Sequence, residues 1–185
     1  MARTESAMLE LGTQAPHFSL PDVRDGRNHA SETLLGPKGL LVMFICAHCP
    51  FVKHVEKELA RVGRDYEKSG IGIVGISSND AEKHPDDAPP NLAKQAKNLG
   101  FSFPYLYDET QEVARAYDAA CTPDFFLFDS AGKLVYRGQL DGSRPGNGVP
   151  VTGKDLRAAL DALIAGESIG TDQYPSIGCN IKWKE

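Results

Sequence analysis

Cys46-Ala47-His48-Cys49-Pro50 is the segment of this chain best equipped for chemistry. Two cysteines three residues apart lie nearly one turn apart on a helix, where they can meet disulfide geometry without moving the backbone. The first thiol then faces the unpaired N–H groups at the helix start, which favour the thiolate and lower its pKa below about 8.5. These residue types predict thiol–disulfide exchange. Cys46 is the expected nucleophile on a disulfide, and Cys49 the thiol that resolves the mixed disulfide. His48 lies between them and is expected to add positive character beside Cys46, making the pair more oxidising. The plainer alternative for His48 is a solvent-facing loop histidine.

Rival chemistries fit less well. A c-type haem site needs His directly after the second Cys, where this chain has Pro50. A zinc site usually needs four ligands, and only the isolated Cys121 and Cys179 could supplement the pair. No metal and no cofactor are expected.

The elements that must position the pair can be read around it. Leu40 to Ile45 is a continuous apolar run of strand length, as in a strand buried on both faces. After Pro50, which suits the first turn of a helix, apolar residues recur at 51, 52, 55, 59, 62 and 66, one helical face. The Lys and Glu residues between 53 and 68, with His54, read as its solvated side. Ile71 to Ile76 is a second buried strand. Ser77 to Pro90 is a polar, Pro-rich loop, longer than a compact connection needs, and Ser77, Ser78, Asn79 and Asp80 follow a strand end where loops often line sites.

A helix marked by Leu92, Ala96 and Leu99 follows, then a short strand over Phe103–Tyr107 and a helix around Glu109–Tyr117. Asp124–Asp129 and Leu134–Gly138 read as a hairpin. A capping-box pattern at Thr152 and Asp155 introduces a last helix through Leu156, Ala159, Leu160, Leu163 and Ile164. Residues 1–9 read as a loose leader, and residues 10–38 as short strands and turns, an edge hairpin. Parallel βαβ units come first and an antiparallel hairpin last, which predicts an α/β domain with a central mixed sheet flanked by helices. The expected domain spans residues 10–165, with a tail over 166–185 packing on it.

The chain has 185 residues, 41% hydrophobic and 24% charged, with a formal net charge of −5. That is one soluble globular domain, with no electrostatic case for nucleic acid or an anionic membrane. The longest apolar run, Leu40 to Cys46, is too short to span a bilayer. Residues 1–12 carry one Arg and no apolar core of a secretory signal, so the cytoplasm is the expected compartment, where structural disulfides are rare.

The motifs resemble the thioredoxin superfamily, and within it the redoxin (AhpC/TSA-like) branch of peroxiredoxins and bacterial thioredoxin-like thiol–disulfide oxidoreductases. "GTQAPHFSLPDVRDG" looks like the redoxin opening, "CAHCPF" matches the active-site turn, and "CTPDFFLFDSAGKLVYRGQL" is similar to the segment holding a cis-proline before the last hairpin. "PSIGCNIKW" is similar to the tail of a bacterial subgroup with C-x-H-C-P sites. The resemblance implies a thioredoxin-like fold with an N-terminal redoxin-type hairpin, a cis bond at Pro123, and a Thr122 backbone free to pair with a substrate strand.

Departures from the family pattern are visible. Ile45 stands where thioredoxins have Trp, and no counterpart of their buried acid can be placed. Peroxiredoxins carry Pro-x-x-x-Thr/Ser-x-x-Cys. Counting back from Cys46 gives Met43 and Gly39, and from Cys49 gives Cys46 and Val42. The expected function is therefore a thiol–disulfide oxidoreductase that acts on protein or small-molecule disulfides and is served by a thiol reductant or a thioredoxin-type reductase. The alternatives are a thiol-dependent peroxidase and a non-enzymatic redox sensor.

Cys121, two residues before Pro123, should lie near the active-site end. The thirteen steps from Gly166 to Cys179 span at most roughly 43–47 Å, so the tail can fold back, with Ile177, Ile181 and Trp183 to dock it and Gly178 to allow close approach. Cys121 and Cys179 are expected either as interacting auxiliary thiols or as two separately buried cysteines.

Overall fold

A computed structural model describes residues 3–185 of the chain. In chain order the strands are β1 (Arg3–Glu5), β2 (Ser19–Pro21), β3 (Asn28–Ala30), β4 (Gly39–Phe44), β5 (Ile71–Ser77), β6 (Tyr105–Tyr107), β7 (Cys121–Thr122), β8 (Asp124–Asp129), β9 (Leu134–Gly138) and β10 (Ile177–Asn180). The helices are α1 (Ser31–Leu34), α2 (Pro50–Asp65), α3 (Pro89–Leu99), α4 (Glu112–Ala116) and α5 (Lys154–Ala165), and a single 3-10 turn covers Pro85–Asp87.

The apolar run before the cysteines becomes β4, the middle strand of a five-stranded sheet in the order β6-β5-β4-β8-β9. It pairs parallel with β5 and antiparallel with β8. Successive side chains of a strand point to opposite faces, and β4 serves two cores. Leu41, Met43 and the following Ile45 pack with Val52, Val55 and Leu59 of α2, Leu92 of α3 and Leu156 and Leu160 of α5. Leu40, Val42 and Phe44 pack on the other face with Ala114, Tyr117, Phe126 and Phe128. Tyr117 anchors that second core by edge or tilted contacts at 5.6–5.9 Å to Phe44, Phe126 and Phe128. The mixed sheet with helices on both faces is the α/β architecture expected from the order of elements. β2 and β3 form the short N-terminal hairpin.

Local expectations need correction at four places. Residues 3–5, within the segment read as a loose leader, form a strand; residues 1 and 2 lie outside the described residues. Thr152 and Asp155 do not form a capping box. Gly153, at φ +69°, precedes α5, and the carboxylate of Asp141 accepts the N–H groups of Thr152 (2.8 Å) and Gly153 (2.6 Å), while Asp155 accepts from Gln139. Glu58 is not on a solvated face. It is buried and ion-paired to Arg61 (2.6 Å) and Arg157 (2.7 Å), the latter tying α2 to α5. His54 is hydrogen-bonded to Ser143 Oγ at 2.7 Å. In each case a long-range partner, invisible locally, takes the group.

The tail carries the element that matters most to the site. β10, from the tail, is the central strand of a second, three-stranded antiparallel sheet, β1-β10-β7. It places Cys179 opposite Arg3 on one side and Thr122 on the other. Among the described residues no helix is long and apolar enough to cross a membrane.

Candidate active site

Cys46 leaves the end of β4, and Cys49 directly precedes α2, whose first residue is Pro50. Proline fits there because its missing N–H would have no partner in the first helical turn. The turn is held from outside. Gln95 of α3 donates to the Cys46 carbonyl (3.0 Å) and accepts the Tyr105 hydroxyl (2.9 Å). Both cysteines are fully buried.

The Thr122–Pro123 bond is cis, and Thr122 lies against both thiols. Its Oγ1 is 3.4 Å from Cys46 Sγ, and its carbonyl oxygen is 3.4 Å from Cys49 Sγ. Its backbone is not open to a substrate strand, as the resemblance implied, because β10 already pairs with it. The third sulfur of the site is that of Cys179, 2.6 Å from Cys49 Sγ.

Cys121 stands apart. Adjacent residues of a strand face opposite sides of the sheet, so the Cys179 side chain shares the face of its partner Thr122 and not that of Cys121. The Cys121 thiol instead points to the Pro123 carbonyl at 3.6 Å. A Cys121–Cys179 pairing is thereby replaced by Cys49–Cys179. Burial, reinforced by Asp124, drives the Cys121 thiol far above its ordinary pKa.

Asp87, in the long polar loop, is a buried acid that residue spacing did not single out. One carboxylate oxygen accepts the N–H groups of Ala47 (2.8 Å) and His48 (3.0 Å); the other meets Asn79 Nδ2 (2.8 Å) and His48 Nδ1. A carboxylate offers about four lone-pair sites, and all are engaged by the protein. Cys46, His48 and Asp87 bring possible metal-ligand atoms within 4.8 Å of one another, yet the acid is already occupied as the hub of the turn. The signal for it was the excess length of the loop. Asn79 continues the network by accepting the Lys182 N–H at 2.9 Å.

The electrostatics differ from a simple helix-start thiolate. Burial pushes the Cys46 thiol well up, and Cys49 and the Asp87 charge push the same way. Cys49 is held low, at about 5, first by the hydrogen bond from Cys46, with further help from Cys179 and the Val52 N–H. The hydrogen bond between the two sulfurs raises Cys46 and lowers Cys49, favouring charge on Cys49. His48 is raised by its hydrogen bond to Asp87, so its positive charge is matched by a carboxylate. Its ring also stacks on His84, centroids 5.5 Å apart. Beside the site, burial raises Asp124 to about 7, and its Oδ1 has no hydrogen-bond partner among the described residues.

A CxxC pair between a central strand and its helix, facing a cis-proline loop, defines a redox protein of thioredoxin-like fold. More narrowly, the AhpC/TSA family model matches residues 11–137, and the chain belongs to the AhpC/TSA family. An uncharacterised conserved protein from Geobacillus kaustophilus has a crystal structure 58% identical in sequence, with a TM-score of 0.97 over 100% of this chain and 97% of that one. A thioredoxin-family thiol:disulfide interchange protein from Chlorobium tepidum, 22% identical, shares the fold at a TM-score of 0.64, covering 84% of this chain and 98% of its own. Among curated relatives, the thiol-disulfide oxidoreductase ResA of Geobacillus thermodenitrificans is 29% identical over 134 residues, 71% of this chain and 70% of that protein. A Mycobacterium tuberculosis protein provisionally named a peroxiredoxin is 29% identical over 144 residues, 71% of this chain and 86% of its own.

Proposed function

We infer that the protein is a thiol–disulfide oxidoreductase cycling between a Cys46–Cys49 disulfide and the dithiol. The observation that carries this reading is the placement of both thiols 3.4 Å from atoms of Thr122, directly before the cis-proline. Cys46 is the nucleophile. As it attacks a substrate disulfide its proton passes to the Cys49 thiolate, the acceptor of its hydrogen bond; one substrate sulfur is captured and the other leaves as a thiolate. Cys49 then gives up that proton and attacks Cys46, releasing the second substrate thiol and closing the Cys46–Cys49 disulfide. The resemblance to a thiol-disulfide oxidoreductase named ResA supports the same class. Disulfides of proteins or small molecules are the substrates, and a thiol reductant or thioredoxin-type reductase restores the dithiol. The proposed compartment is the cytoplasm, where stable structural disulfides are rare and a CxxC pair serves catalysis. The test is reduction of insulin with dithiothreitol as electron donor. Wild type should accelerate it and Cys46→Ser should not; equal rates would remove the reading.

One observation favours a second reading, a thiol peroxidase. No hydroxyl lies three residues before either cysteine, but Thr122 brings its Oγ1 to Cys46 through space. Peroxide consumption with a thiol donor separates the two. Oxidoreductase chemistry predicts slow consumption that Thr122→Val leaves unchanged, and a fast rate lost in Thr122→Val would favour the peroxidase.

A further inference from the structure

Cys179 is a buried nucleophilic group that the two-cysteine cycle does not use, although it is built into the site. Its strand is clamped on both sides. Ser176 Oγ donates to the Pro123 carbonyl (2.6 Å), and the Ser6 N–H donates to the Ser176 carbonyl (2.9 Å). Beyond the strand, the Lys182 carbonyl accepts from the Asp80 N–H (2.9 Å) and Gln111 Nε2 (2.8 Å). Gly178 makes the approach possible, because a Cβ there would stand 1.9 Å from the Thr122 carbonyl oxygen. The result is one sulfur, Cys49 Sγ, with a potential disulfide partner on each side: Cys46 in the turn and Cys179 in the tail.

We propose that Cys179 is a third redox thiol of this site, which attacks Cys49 in the Cys46–Cys49 disulfide to form a Cys49–Cys179 disulfide and free Cys46. The inference rests on the oxidoreductase reading and extends it. The step balances without any outside reagent. The Cys46–Cys49 S–S bond breaks, the Cys49–Cys179 bond forms, and Cys46 leaves with the electron pair and takes up the proton that Cys179 gave. The oxidation level of the protein does not change; only the position of the disulfide does.

The electrostatics favour the direction of attack. In the dithiol protein, burial and then the hydrogen bond to the Cys49 thiolate push Cys179 up to about 12. Once Cys49 is in a disulfide its negative charge is gone, and so is that second cause. The Lys182 ammonium, which favours a Cys179 thiolate, remains. Oxidation of Cys49 thus lifts the contributions of Cys49 that hold Cys179 as a thiol, leaves burial in place, and tilts Cys179 toward attack. The oxidised protein then presents Cys46 as a free thiol beside Thr122.

The experiment is disulfide mapping of the full-length protein. Reduced wild type and Cys46→Ser are oxidised with glutathione disulfide under native conditions, alkylated, digested and analysed by mass spectrometry. Wild type should yield both 46–49 and 49–179 linked peptides, and Cys46→Ser should yield the 49–179 link at a rate independent of protein concentration, with Cys121 alkylated in both. If wild type yields 46–49 alone and Cys46→Ser stops at a glutathione adduct on Cys49, the third-thiol proposal is overturned and the oxidoreductase reading stands. If wild type yields neither a 46–49 nor a 49–179 link, the oxidoreductase reading fails, and the exchange step fails with it.

Discussion

Cys49 and Cys179 are 130 residues apart in sequence, and their sulfurs stand 2.6 Å apart. The contact places a residue of the tail at the reacting atoms and closes the edge of Thr122 that a substrate strand would use. Access to the thiols therefore requires movement of the turn or of β10, and the behaviour of variants reports on that arrangement.

The roles of Cys46 and Cys49 can be separated by trapping. Cys49→Ser retains a nucleophile and loses the intramolecular resolver, so a small disulfide should leave a stable adduct on Cys46. Intact-mass measurement should show one added half-disulfide. An unmodified Cys46 in that variant would mean that the roles are reversed, with Cys49, the charged sulfur, as the attacking thiol.

Asp87 holds the turn and bears on both titrating neighbours. Asp87→Asn should lower the pKa of His48, which loses the carboxylate that raises it, and should lower that of Cys46, from which a nearby negative charge is removed. The pH profile of alkylation should move to lower pH, and the His48 imidazole resonances should titrate at lower pH. Loss of charged acceptors for buried donors should also cost about 1–3 kcal/mol of stability. The ion pair sets its own pH window. The stability contributed by raised His48 is complete below the unfolded histidine pKa and is lost as pH rises through the folded value. That from lowered Asp87 is present above the unfolded carboxyl pKa and is lost as pH falls through its folded value.

Removing the imidazole should tune the redox pair in one direction. In His48→Ala the Asp87 charge is no longer matched, so the thiolate form of the reduced pair is less stable. The disulfide becomes relatively favoured and the reduction potential more negative. A tenfold change in the glutathione equilibrium corresponds to about 30 mV, a shift of the size expected. A potential unchanged or raised would show that His48 does not stabilise the reduced form.

Asp124 predicts a pH dependence of opposite sense to a salt-bridged acid. Its folded pKa is raised to about 7 from an ordinary 3.8. Between these values the native state keeps a proton that the unfolded chain has lost, so stability falls as pH rises through this window. Asp124→Asn should flatten that part of the curve. Thermal melts of both proteins at pH 5 and pH 8 check it, and parallel slopes would remove Asp124 as the cause.

Much of the redox turn was legible locally. The apolar run of β4, the CxxC pair and Pro50 form a contiguous stretch, and strand burial, helix start and disulfide-competent spacing are short-range properties. The order of elements likewise determined the α/β class, because parallel units and a terminal hairpin leave few sheet topologies. The cis bond at Pro123 was reached through resemblance alone, since nothing in an X–Pro dipeptide selects that isomer strongly.

What only the tertiary structure decided are the partners that arrive from far along the chain. Asp87 sits in a loop whose composition looks like solvent-facing turn chemistry; its role comes from folding back over Ala47 and His48. A capping box that local pattern favours is displaced, because the Asp141 carboxylate takes the Thr152 N–H and the Leu140 carbonyl takes the Asp155 N–H. Sequence placed Cys179 within reach of the active-site end, either interacting with Cys121 or buried apart from it. The register of β10 against β7 decided otherwise, since a strand alternates its faces at every residue. A shift of one position would have turned Cys179 away from the site; the observed register, with Gly178 allowing the close approach, puts its sulfur on Cys49.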